Sequence, residues 1–223
     1  FRSALHASTP GGATFFTDTL DTVRFDYADI VPEFLALQRK KYAGQSVDLV
    51  VGIGDGSVEF IRQHARELWP GAPVLLTGLD DARTDRAKLP AGAATLLWRL
   101  DVDGTLAMIE SLQPAAKRLI VVGGNAESDR ELTLRVAARA AERARWQTER
   151  WTTFSVEDLR RRLAALDNTS AVVFTTMYRD DDGRATFPGD ALARIAQTSG
   201  APIYGLYGTY IGRGAVAGSV VAA

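Results

Sequence analysis

Asp48-Leu-Val-Val-Gly-Ile-Gly-Asp-Gly-Ser57, continued by Val58-Glu-Phe-Ile-Arg62, decides how the chain reads. The β-branched apolar run 48–53 predicts a buried strand, and the glycines that stop it predict a tight turn. Val58 and Ile61 then fall inward at helical spacing while Arg62 and Gln63 fall outward. Strand, turn and helix make half of a βαβ unit. Asp55 and Ser57 stand in the turn, where a helix N-terminus presents unpaired N–H groups. Ligands of open parallel sheets bind outside the carboxyl ends of the strands, where this turn would lie. Three roles compete for it: a nucleotide fingerprint, the wall of a binding cleft, or a helix cap.

Toward the amino terminus, residues 1–8 read as the back half of an amphipathic helix, without an initiator Met or a signal peptide. After Pro10-Gly-Gly12, residues 13–17 read as a strand, and 27–42 as a helix closed by Lys40, Lys41 and Gly44. Beyond the opening unit, Trp69-Pro-Gly71 stops its helix, and 73–77 and 94–98 read as strands. Asp103 is placed to cap a helix reaching about Leu112, and Pro114 begins a second series. There, strands are expected over 118–123, 147–154, 171–175 and 202–206. Helices are expected from the capping boxes Ser128-Asp-Arg-Glu131 and Ser155-Val-Glu-Asp158, and over 188–198. The strand-like run 216–223 stops at the last residue, so both ends read as cuts through a larger fold. Strand and helix alternate in two series, and Val50-Val-Gly-Ile-Gly54 is echoed by Val121-Val-Gly-Gly-Asn125. That pattern predicts an α/β fold of two Rossmann-like lobes, with parallel sheets flanked by helices.

Composition narrows the function classes. The 223 residues carry a net charge of −1 with mixed signs throughout, which gives no basic field for nucleic acid. Without cysteine there is neither disulfide nor thiol catalysis, and the presence of only two histidines argues against a zinc site. Gly52-x-Gly54-x-Gly56 resembles a dinucleotide fingerprint, but its third glycine comes one residue early, with Ser57 in its place. Asp180-Asp-Asp-Gly183 starts like a calcium loop yet lacks the distal glutamate, which favours a solvated turn. No Ser-His-Asp order or nucleophile elbow is present. The aromatic runs point to binding: Met177-Tyr178 follows one strand, and Tyr204, Tyr207 and Tyr210 follow another. Tyrosine offers an apolar face and a hydroxyl, which suits the wall of a small-molecule pocket.

Five ordered segments carry a family resemblance: 42–60, Glu67-Leu-Trp-Pro-Gly-Ala-Pro-Val74 with Thr77-Gly78, Ile120-Val-Val-Gly-Gly-Asn-Ala-Glu-Ser-Asp-Arg130, 178–188, and Ala201-Pro-Ile-Tyr-Gly-Leu-Tyr-Gly-Thr-Tyr-Ile-Gly212. Together they resemble the ABC-type periplasmic substrate-binding proteins, and within them the extracytoplasmic sensor domains of bacterial histidine kinases. The resemblance implies a type I periplasmic-binding fold truncated at both ends, with a ligand between two lobes. Lobe one would be 1–113, lacking its first strand, and lobe two 114–223, with hinges near 98–116 and 204–216. The cleft would be lined by Asp55, Gly56, Ser57, Thr77, Gly78, Leu79 and Asp80 from lobe one. Lobe two would supply Asn125, Ala126, Glu127, Met177, Tyr178, Thr209 and Tyr210. Ser57 would hold a polar or anionic group, Asn125 and Tyr210 would hydrogen-bond, and Met177 and Tyr178 would cover the apolar part. The implied partner is a small molecule (amino acid, aromatic acid, sugar or peptide), with no cofactor, metal, catalytic residue or nucleic acid. A periplasmic location, membrane attachment through flanking segments, and a homodimer covering the open sheet edge complete the expectation. The alternatives are a free transporter component and a cytosolic nucleotide-binding enzyme.

Overall fold

A computed structural model describes residues 2–22 and 25–219, so the end of the run 216–223 lies outside the described residues. Two parallel sheets organise the chain. In the first, β1 (Val50–Ile53), β2 (Val74–Asp80) and β3 (Ala94–Trp98) lie in the order β1-β2-β3. Val50 pairs with Val74 and Ile53 with Thr77, while the β2–β3 register slips between Thr77 and Leu79. Gly78 occupies the slip with φ +71, and a Cβ there would stand 3.2 Å from the backbone nitrogen of Gly54. Helix α1 (Arg2–Ser8) contributes no buried residue. Helix α3 (Asp55–Leu68) turns Ile61 onto Val50, Leu76 and Leu79. Helix α2 (Tyr27–Tyr42) stacks outside α3, with Phe34 and Phe60 edge to face at 5.0 Å. Both helices thus serve one side of the sheet, and Ile53 and Leu96 remain well exposed.

Residues 13–17, expected as a strand, form none. Aromatic and β-branched residues favour an extended shape, but a strand also needs a ladder partner for its N–H and C=O groups. The segment is held instead by local contacts, Ala13 N–H to His6 Nδ1 at 3.0 Å and Arg2 to Thr17.

The second sheet, ordered β5-β4-β6-β7, comprises β4 (Arg118–Val122), β5 (Gln147–Trp151), β6 (Ser170–Phe174) and β7 (Ile203–Gly205). Its pairings are all parallel. Successive side chains point to opposite faces. Ile120, Val122, Val172 and Phe174 meet Leu159 and Leu163 of α6 (Val156–Ala164) and Leu192 and Ile195 of α7 (Pro188–Ala196). Leu119, Val121, Ala171 and Val173 meet Leu132, Val136 and Ala140 of α5 (Glu127–Glu142) on the other side. Leu106 and Ile109 of α4 (Val102–Leu112) join this second cluster. This helix, which falls within the hinge segment expected near 98–116, packs on the sheet that follows it in the chain.

Capping follows the sequence in part. Ser155 accepts the N–H of Asp158 at 3.1 Å and opens α6. Asp101, rather than Asp103, caps α4 by accepting the Gly104 N–H at 2.9 Å. Asp103 instead pairs with Arg139 and Arg143. α5 starts at Glu127 with Ala126 in the capping position, and Glu131 is drawn away from the expected box by Arg83. The returning segment near Ala217 pairs alongside Tyr204, and Ser219 bonds Asp101 and Thr105.

Replacing Gly78 by Ala places a Cβ in the left-handed region and should lower the unfolding free energy by about 1–2 kcal/mol. Urea denaturation monitored by circular dichroism measures it; an unchanged midpoint would mean that the slip in β2 tolerates a side chain.

Candidate ligand cleft

Parallel strands bring their carboxyl ends to one edge of each sheet. These two edges face one another. Arg83, in the loop after β2, lies 3.6 Å from Asp55 and 2.5 Å from Glu131 of α5. Asp80 at the end of β2 meets Arg135 of α5 at 2.5 Å. Trp98, at the end of β3, packs on Tyr207 with ring centroids 5.2 Å apart.

On the lobe-two side lies a cavity of about 340 Å³ lined by Thr176, Tyr178, Phe187, Pro188, Gly189, Asp190, Tyr207, Thr209, Tyr210 and Arg213. Its position follows from local structure. β6 ends at Phe174 and hands Thr176 and Tyr178 to the edge, Pro188 starts α7 at its first position, and β7 hands over Tyr207 through Tyr210. Tyr210 is buried edge to face against Phe174 and Tyr207. Its hydroxyl donates to the Thr175 carbonyl at 2.7 Å. Burial pushes the hydroxyl pKa values of Tyr178, Tyr207 and Tyr210 upward, so the aromatic wall is uncharged at neutral pH. At the rim Arg213 Nη1 bonds Asp190 Oδ1 at 2.6 Å, with both side chains more than half exposed. The arrangement offers an apolar slot beside a cation and an anion within reach of solvent.

The residues named from sequence divide into groups. Tyr178, Thr209 and Tyr210 line the cavity. Met177 and Leu79 are buried in the two hydrophobic cores, Met177 with Ile120 and Leu192, Leu79 with Ile61 and Leu76. Both side chains are taken up by core packing. Ser57 donates to the Gly54 carbonyl at 2.8 Å, which holds the turn. Asn125 donates to Asp181 at 3.0 Å and accepts from Arg130 at 2.9 Å, so both ends of its amide have protein partners. Asp55, Gly78 and Glu127 are exposed, and Thr77, Ala126 and Gly56 half-buried; Thr22 stands against Gly56. Asp80 is almost wholly buried against Arg135.

Phe187, Asp190 and Arg213 were not anticipated. Asp190 stands in the first turn of α7 and Arg213 in the loop after β7, and no motif links them. Another unanticipated residue is Asp129, wholly buried in α5. Its Oδ2 accepts the backbone N–H of Tyr178 at 2.9 Å and that of Arg179 at 3.4 Å, fixing the loop that carries the Tyr178 ring. Burial raises its pKa above the ordinary value of 3.8, outweighing the hydrogen bonds from Thr176, Tyr178, Arg179 and Ala126 that favour the carboxylate.

No protein-family model matches the chain, and no curated protein matches it significantly. Solved structures do. An ABC domain in complex with L-Trp from Streptococcus pneumonia aligns with a TM-score of 0.60 at 17% identity, over 91% of this chain and 75% of that one. A conserved domain protein from Vibrio cholerae aligns with a TM-score of 0.57 at 16% identity, over 88% and 62%. A ligand-free, open substrate-binding protein with adhesive properties from Clostridium difficile aligns with a TM-score of 0.54 at 16% identity, over 83% and 61%. The chain therefore spans less than two thirds of the latter two. The chain shares with these structures an α/β fold of parallel sheets flanked by helices.

Two outcomes follow for side chains behind the cavity. Tyr210→Phe removes a buried hydrogen bond and should cost about 1–2 kcal/mol of stability in urea denaturation. Because the folded-state pKa of Asp129 is raised, its contribution to stability is full below the unfolded value of about 3.9 and falls as pH rises through the folded value. The difference in stability between wild type and Asp129→Asn should thus change across that window and level off on either side. A difference independent of pH would show that Asp129 titrates alike in both states.

Proposed function

We propose that the chain is an extracytoplasmic small-molecule-binding unit that holds its ligand at the facing edges of the two lobes. The carrying observation is the cavity of about 340 Å³, walled by uncharged tyrosines and edged by the Asp190–Arg213 pair. A ligand with an apolar body and both an ammonium and a carboxylate complements it: rings against Tyr178, Tyr207 and Phe187, charged ends toward Asp190 and Arg213. Amino acids with large side chains are the first class to test, and L-Trp, bound by the similar Streptococcus domain, is the first compound. In this proposal the protein binds and does not transform its ligand.

The finer proposal is a sensor domain of a membrane histidine kinase, supported by the ordered sequence resemblance. Preferential affinity of the ligand for one lobe arrangement would then bias the signalling equilibrium. The second proposal, a free substrate-binding component of an ABC transporter, is favoured by the fold shared with a substrate-binding protein. The reading frame around the chain discriminates between them. A membrane-spanning helix followed by a kinase module supports sensing, whereas a lone binding protein encoded beside a permease supports transport.

A thermal-shift and calorimetry screen of amino acids, aromatic acids, sugars and short peptides tests the binding proposal. A ligand at a hundred times its Kd should stabilise the folded protein by about 2.7 kcal/mol. Tyr178→Ala and Arg213→Ala should each weaken that ligand about tenfold or more, as loss of an aromatic or charged anchor does. A screen without any stabilising compound would overturn it.

A further inference from the structure

We propose that Asp80, Arg83, Glu131 and Arg135 form a two-pair ionic latch that sets the angle between the lobes, and through it the affinity of the cleft. Asp80 and Arg83 flank the turn after β2 in lobe one, and Glu131 and Arg135 stand one helical turn apart on α5 of lobe two. Their pairing is crossed in charge: the lobe-one acid meets a lobe-two base at 2.5 Å, and the lobe-one base meets a lobe-two acid at 2.5 Å. Rotation or sliding of one lobe over the other breaks both pairs together and brings like charges closer, so the square of charges defines one register.

Depth makes the latch selective. Asp80 retains 8% of its side-chain exposure, while Glu131 keeps 52%. One pair is therefore shielded from salt and the other open to it. Asp80 is further oriented by accepting the Ala82 N–H at 3.1 Å, and its backbone carbonyl accepts both the Thr84 N–H and the Thr84 hydroxyl. Arg83 is steadied on its own lobe by Asp55. None of the four latch residues lines the cavity, so they act as positioning residues. The charges nonetheless lie near it: Asp80, Arg83 and Arg135 all act electrostatically on the Tyr207 hydroxyl.

The latch's effect on affinity rests on the proposed ligand-binding role; its effect on lobe geometry does not, and the test separates the two. The chain has no cysteine, so Arg66→Cys on α3 and Ala164→Cys on α6, both exposed, give a clean pair of spin-label sites. Electron–electron distance measurements on the ligand-free protein should give one narrow distribution. Arg83→Glu alone or Glu131→Arg alone should shift and broaden it, and Arg83→Glu/Glu131→Arg together should restore it. Glu131→Gln, an exposed and nearly isosteric change, gives the same broadening should a charge reversal prevent folding. Distributions identical in wild type and Glu131→Gln, or a double reversal as broad as the single ones, would overturn the latch. With L-Trp or another ligand from the screen, each reversal should weaken binding about tenfold and the double reversal recover it. Restored distances with no ligand bound by any variant would leave the latch standing and overturn the binding role.

Discussion

β4 is paired in parallel with β5 on one side and β6 on the other, and that double pairing constrains the rest of the molecule. Parallel neighbours cannot be joined by a tight turn, so the chain must cross over through helices between strands. Helices covering both faces explain why Leu119, Ile120, Val121 and Val122 are all fully buried. The same rule sends the carboxyl ends of the lobe-two strands to one edge. Lobe one obeys it with three strands and turns its own edge toward the first. A cleft between two such edges is a consequence of strand direction rather than of any one residue.

Polar side chains at such edges face a choice between protein and ligand. A buried donor or acceptor left unpaired is costly, so groups close to the backbone tend to be used internally. Ser57 secures its turn, Asn125 joins Arg130 and Asp181, Tyr210 bonds the end of β6, and Asp80 meets Arg135 across the lobes. Available to a ligand are the half-exposed Tyr178, the exposed Thr209 and Phe187, and the rim pair of Asp190 and Arg213. The inventory sets two aromatic rings beside hydroxyls and a charged pair, which favours a ligand with both an apolar part and charged ends.

Much of the fold was legible because period and punctuation are local properties. The apolar runs of β1, β4 and β6, the amphipathic spacing of α3 and the Ser155 cap all stand where their residues predict. Residues 13–17 misled for the complementary reason, since their aromatic and β-branched make-up could not report whether a neighbouring strand was at hand. The sheet on which α4 packs was not legible either. The helix's apolar face fits either sheet by pattern alone, and only packing against Leu119 and Tyr204 assigns it.

The cleft divided along the same line. The sequence by itself determined where chemistry could collect, namely the loops after the glycine-ended and tyrosine-rich strands, because strand direction in an alternating α/β chain follows from order alone. It also determined that those loops mix phenols with charged residues, among them Asp55, Asp80 and the run Asp180-Asp-Asp182. Only the tertiary structure decided which side chains remain available there and which are tied up. Arg83 with Glu131, Arg135 with Asp80 and Arg213 with Asp190 are pairs between residues far apart in the chain. Such distances depend on how complete elements pack, and no spacing within a single element encodes them.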